Sequence, residues 1–466
     1  MPGSLRGKRT EVFGMREFST AHRRRVQADP DEPDPAEVRR NRRLLILNGG
    51  LVFMSMTLAS SDMLLPAFVQ SLTASSVAVG LVGALMRIGW AWPQIFISRI
   101  VEGRRRKMPF LLLAGGMRST VWLVIAGLTY LMGGRQSFYF LCCFLVLYAI
   151  STSMMGIWNV PWMDIVGKVV PPRERSRLFA VRRLCGGITA MAAGGVITFV
   201  LSDRSGIAFP SNYAALFLLA GLGNALSVFV FSRIREPVGP VRYLRQPLSN
   251  YLNTGFRLLK NDPDYRRLCG MQLLWSFMMM GAPFYVPYAI TDLGFGLVYV
   301  GVFVSVMQVS TVLSNALWAH VGHRKGNRTL LVYGSYLMAL SVAIPLLARY
   351  VPSLSFAPLS NWGIDWAFDP HVAFYALTFV LSGFASSAMF NGRMAYVLEL
   401  APENRRPTYT SFLNMFALPQ GFLPVLAGLL VAWISYRPMF WIALLFVPPT
   451  VYFVHRLGEG GRPRSG

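Results

Sequence analysis

The chain has 466 residues, of which 54% are hydrophobic and only 14% charged, against about 25% charged in an ordinary soluble domain. That balance excludes a water-soluble globular fold and points to lipid as the solvent. The formal net charge of +24 would suggest nucleic acid as partner in a soluble chain, so the positions of the basic residues have to be read first.

Residues 1–43 surround the acidic, proline-rich stretch DPDEPDP with arginine clusters and show almost no apolar periodicity. They bury too little surface to offset ordering entropy and are expected to form a disordered basic cytoplasmic tail. The tail either touches anionic lipid or simply helps set topology. Apolar runs then recur at 44–66, 77–99, 108–132, 138–163, 180–201 and 213–231, and again at 268–291, 296–318, 329–348, 372–398, 408–432 and 437–455. Each is long enough as a helix to cross a hydrocarbon core about 30 Å thick, and none alternates as barrel strands do. The expectation is an all-α polytopic membrane protein of about twelve transmembrane helices. A long polar tail precedes the first run and no small-residue cleavage pattern ends it, so it should stay as an anchor. Residues 232–267 form a linker in which Leu244, Leu248, Leu252, Phe256 and Leu259 recur every three or four positions, the pattern of a helix lying at the membrane interface. Residues 456–466 are a C-terminal tail.

On this placement, Arg135, Arg204, Arg349 and Arg437 lie in loops on one side, and six arginines fall within or at the edges of spans. The remaining Lys and Arg residues sit in the tails and the alternate loops on the opposite side. That asymmetry puts both termini in the cytoplasm of a protein of the cytoplasmic (plasma) membrane and makes nucleic acid unnecessary as a partner. Cys142, Cys143, Cys185 and Cys269 all fall in or beside spans, so no disulfide framework is expected. His320 and His323 lack an acidic or thiol neighbour, and neither a metal nor a cofactor is expected.

The two sets of six spans echo one another. Gly103-Arg104-Arg105 after the second span answers Gly326-Asn327-Arg328 after the eighth, 223 residues on; PPRERSR after the fourth answers PENRR after the tenth, 230 residues from Pro172 to Pro402. Two bundles, 44–231 and 268–455, around a site near the midplane follow from that duplication.

These segments resemble the major facilitator superfamily, whose second-to-third helix loop reads G-x-x-x-D-R-x-G-R-R. SRIVEGRRRK keeps the end of that pattern but has Ile100 at the Asp position, and AHVGHRKGNR has His323 there. LAPENRR and NDPDYRRL are similar to the family's loop after helix ten and its lead-in to helix seven. The resemblance implies a monomeric secondary active transporter that moves a small solute through alternating access. It implies a cytoplasmic latch as well, with Asp164 against Arg104 or Arg105 beside Gly103, and Glu399 against Arg324 or Arg328 beside Gly326. A topology-only role for these arginines is the competing reading. The family's antiporter glycine-proline motif is not matched, since Gly186, Ala190 and Gly194 lack a proline and read as a close-packing stripe.

Charges within a span are costly and need a reason. Asp62, in ASSDMLLP, is the one acid placed well inside a span; Arg87 and Arg118 sit near the middle of the next two. Desolvation and water access can drive such a carboxyl between neutral and charged, which makes Asp62 the candidate for proton coupling. The alternative is a permanent pair with Arg87 or Arg118, and either arginine is alternatively suited to an anionic substrate. By the family resemblance the cavity is lined by helices one, four, seven and ten, which makes Trp158, Asn159, Gln272, Trp275, Tyr285 and Asn391 candidates, with Gln308, Asn315 and Asn414 from helices eight and eleven. No nucleophile elbow, phosphate loop or metal motif stands at a span end, which argues against an enzyme or an ATP-driven pump. A flippase or a transporter-like receptor would share the fold.

Overall fold

A computed structural model describes residues 35–102, 104–132, 138–238, 256–353, 369–401 and 406–458. In chain order the first half comprises α1 (Pro35–Thr57), α2 (Leu64–Leu72), α3 (Ser76–Glu102), α4 (Met108–Met132), α5 (Phe138–Val169), α6 (Pro172–Val200) and α7 (Ser211–Ser232). The second comprises α8 (Pro263–Met278), α9 (Tyr285–Thr291), α10 (Val298–Lys325), α11 (Asn327–Ala348), α12 (Pro370–Leu400), α13 (Arg406–Met415), α14 (Pro419–Ile434), α15 (Tyr436–Leu445) and α16 (Val447–His455). Eleven stretches among the described residues are helical, long and apolar enough to cross a membrane.

The first expected span is built differently. Its helix starts at Pro35, inside the stretch read as a tail, because that turn has partners: Val38 and Asn41 are buried, and Arg42 pairs with Glu174 at 3.1 Å. Residues 1–34 lie outside the described residues. The span then breaks at residues 58–63 and resumes as α2, since the polar run Ser60-Ser61-Asp62 ahead of Pro66 favours local side-chain bonding over the helical ladder. Prolines break later spans too: Pro283 lies in the 3-10 turn between α8 and α9, and Pro419 opens α14 after a turn. Of the expected interfacial helix in the linker, residues 256–261 are helical and Phe256 packs on Phe412 at 5.6 Å. Leu244, Leu248 and Leu252 lie outside the described residues.

Within the first half α1 packs against α6 and α7, and α5 against α3 and α4. Asn48 donates to the Ser227 hydroxyl at 2.8 Å and Ser55 to the Ala220 carbonyl at 2.6 Å, fixing α1 to α7. In the second half α12 packs against α10 and α11, and α8 against α16.

The halves meet along two seams, α3 with α14 and α6 with α10. Both are glycine-built: a Cβ on Gly80 would run into the Pro424 carbonyl, and one on Gly301 into the Thr198 backbone nitrogen, so backbone lies against backbone. Residues 76–83, 194–198, 301–305 and 424–428 all belong to the end of the body opposite the chain termini. There α2 also meets α9 and α10. The halves are therefore closed at that far end.

Candidate functional site

The break after Thr57 leaves Asp62 outside a helical ladder with its side chain 42% exposed, and its carboxylate lies 3.8 Å from the Arg87 guanidinium of α3. Arg87 also donates to the Gln420 carbonyl at 3.1 Å. Gln420 lies in the first turn of α14, and its carbonyl is free to accept outside the helix because the residue four positions on, Pro424, has no N–H to donate. Carboxylate, guanidinium and carbonyl thus form a polar chain running from one half into the other.

Arg118 lies elsewhere. It is 9% exposed and donates to the Asn224 Oδ1 of α7 at 2.7 Å, while Asn224 donates to the Ser119 hydroxyl at 2.7 Å. This neutral anchorage inside the first half replaces the pairing with Asp62 that the sequence left open.

The expected cavity residues separate into three groups. Asn315 accepts from the Ser387 hydroxyl at 2.7 Å and from Asn391 at 3.0 Å, joining α10 to α12. Trp275 and Tyr285 are buried in the hydrophobic core of the second half. Gln272, 1% exposed, accepts from Arg393 of α12 at 2.7 Å. Trp158 stacks on Trp162 at 5.6 Å; Trp158, Asn159 and Gln308 are half-buried, and Asn414 is exposed.

At the terminal end the polar partners differ from the expected latch. Asp164 takes Lys107 at 2.9 Å and Lys168 at 3.0 Å, not Arg104 or Arg105, which are exposed; Gly103 lies outside the described residues. Lys168 reaches on to Glu236 at 2.9 Å. Glu236, its side chain 3% exposed, also accepts from the backbone nitrogens of Lys107 and Met108. These are unpaired donors at the start of α4, where the helix dipole favours a carboxylate. In the second half Gly326, at φ 82°, turns α10 into α11 and brings Asn327 to Glu399, to which it donates at 2.6 Å. Arg328 is drawn to the His455 carbonyl instead and lines a cavity of about 670 Å³ with Arg267, Tyr452 and Arg456, while Arg324 is exposed. Each of these networks stays within one half.

Three arginines escaped the sequence reading of the site. Arg182 places its guanidinium 4.5 Å above the Trp162 ring, Arg183 reaches across to Phe390 of α12 at 4.9 Å, and Arg393 holds Gln272. The available signal was a pair of adjacent arginines within the α6 span and a third in the α12 span.

The family model of the Major Facilitator Superfamily matches residues 45–367. The chain belongs to the major facilitator superfamily. No curated protein matches it. Among solved structures, this superfamily member is similar to a variant of the nucleoside transporter NupG, with 12% identity, 90% of this chain and 98% of that one covered, and a TM-score of 0.66. It is also similar to a bacterial homologue of the iron transporter ferroportin in an inward-facing state (14% identity, 90% and 98% covered, TM-score 0.65). A bacterial homologue of the human lysosomal transporter Spinster, inward-facing and unoccupied, matches at 15% identity, 91% and 95% covered, TM-score 0.57. At these identities the likeness shows the fold. Family and fold together make the chain an integral membrane transporter and not an enzyme.

Proposed function

We propose that the chain is a secondary active transporter of a small solute, driven by protons through Asp62 and working by alternating access between its two halves. Both termini lie in the cytoplasm on this reading, as the basic loops require, so closure at the far end makes this the inward-open arrangement. Two of the structural neighbours are described as inward-facing, which supports it.

The carrying observation is the chain Asp62–Arg87–Gln420. Arg87 is shared between the Asp62 carboxylate and a carbonyl of the opposite half. Neutralising Asp62 frees the guanidinium from its charged partner and changes how firmly it holds α14, so one proton alters a contact between the halves. A proton gradient then biases the equilibrium between the two arrangements, because protonation has different affinity in each.

In proteoliposomes, Asp62→Asn should abolish accumulation driven by a pH gradient while solute counterflow persists. Gradient-driven accumulation at the parental level in that variant removes the coupling role. A receptor or flippase reading lacks a supporting observation of this kind; saturable counterflow of a water-soluble substrate distinguishes the transporter from both.

A further inference from the structure

Among the described residues, the spans carry basic side chains that no carboxylate balances. Asp62 serves Arg87, Asp164 serves Lys107 and Lys168, and Glu399 is held by Asn327. Arg182, Arg183 and Arg393 form no ion pair with any described residue. Their contacts are neutral: the Trp162 and Phe53 rings for Arg182, the Phe390 ring for Arg183 and the Gln272 amide oxygen for Arg393. The Nε atoms of Arg182 and Arg393 are buried without a hydrogen-bond partner.

The placement of these groups is specific. Arg183 belongs to the first half and reaches Phe390 of the second, and Phe390 precedes Arg393 by three residues on α12, one helical turn. Arg183 and Arg393 are therefore brought to the boundary from opposite halves, one helical turn of α12 apart, on the terminal side of the glycine seams. Arg182 and Arg393 are half-buried and Arg183 is exposed; a half-buried guanidinium without a counter-charge is costly, and three basic groups with no carboxylate among the described residues leave a site whose missing component is negative.

We propose that the transported solute is a small organic anion whose carboxylate or phosphate oxygens are received between Arg183 and Arg393. Arg182, above the Trp162 ring, adds to the positive field. The inference rests on the transport reading given above. A guanidinium offers forked donors matched to carboxylate and phosphate oxygens. Because each half supplies one, an anion bound to both adds a tie between the halves on the terminal side of the glycine seams, the kind of contact that closing that end requires.

The test is thermal unfolding of the purified full chain in a neutral detergent. Benzoate and phenyl phosphate serve as probes, and benzamide and phenol as their uncharged counterparts at matched concentration. At least one anion should raise the unfolding midpoint by about 3 °C or more, with no shift from its counterpart. Arg183→Gln and Arg393→Gln should each lose that shift. Without ligand each variant should unfold at about the parental temperature, since neither guanidinium has a counter-charge among the described residues and Arg183 is exposed. The inference is overturned if neither anion shifts the midpoint, if the uncharged counterparts shift it equally, if the shift survives in both variants, or if both variants unfold well below the parent. Counterflow separates this from the transport reading. An anion that stabilises the chain without exchanging in proteoliposomes leaves the site and sinks transport, whereas counterflow of an uncharged solute such as a nucleoside, with no anion shift, leaves transport and sinks the anion.

Discussion

Replacing Gly301 by Ala tests whether the two halves move as rigid bodies. A Cβ at that position would lie 2.6 Å from the Gly194 carbonyl oxygen, where ordinary contact begins at 3.4 Å, and closer still to the Thr198 nitrogen. Both obstacles are backbone, so no rotamer change relieves the overlap, about 0.8 Å at the Gly194 oxygen and more at the Thr198 nitrogen; α6 and α10 have to separate. Overpacking of this kind costs about 1–3 kcal/mol, and the cost falls only on the arrangement in which the far end is closed. The population open at that end should therefore rise about fivefold to about 150-fold. The reporter belongs on the other seam, where Ser76 is buried with its carbonyl against Gly428. With Cys142, Cys143, Cys185 and Cys269 replaced by Ser, a Ser76→Cys variant in detergent is labelled with a charged maleimide with and without Gly301→Ala. Acceleration by that factor at a seam the mutation does not touch is the expected result. A lower unfolding temperature with unchanged labelling would show that the strain stays local and would refute rigid-body motion.

Two further predictions concern buried polar networks. Glu236→Gln removes the charge that holds Lys168 and caps the start of α4, and with a side chain only 3% exposed it should cost about 2–4 kcal/mol. An unfolding midpoint within error of the parent would show that the network contributes nothing. Asn224→Leu leaves the Arg118 guanidinium buried without its acceptor and should also cost about 2–4 kcal/mol. The double variant Arg118→Met with Asn224→Leu should recover most of that, because no charge then remains to be satisfied; a double variant as unstable as the single one contradicts the account.

Much of the helical body was readable from the sequence, and its interruptions were not. Runs of apolar residues near twenty long have one stable solution in lipid, so the spans and their order follow from composition. The break at residues 58–63 escaped because hydropathy averages over a window: three polar residues flanked by Ala59 and Met63 scarcely lower it, yet they end a helix. The early start at Pro35 escaped for the opposite reason. Asn41 and Arg42 look like tail residues until α6 and α7 supply Glu174 and a packing surface, contacts more than a hundred residues away in the chain.

The site was readable in its residue types and not in its pairings. Asp62 and Arg87 stood out because a charge in a span is rare, and both have structural partners. The choice of Lys107 over Arg104 for Asp164 depends on which side chain the start of α4 delivers, a matter of ångströms that no motif encodes. Arg182, Arg183 and Arg393 show the same limit from the other direction. Taken singly, each is a costly basic residue in a span with a packing explanation to hand. Only when α6 and α12 are brought together does the absence of any carboxylate among the three become a property of one place, and a shared deficit of negative charge, unlike an isolated arginine, implies the sign of what binds there.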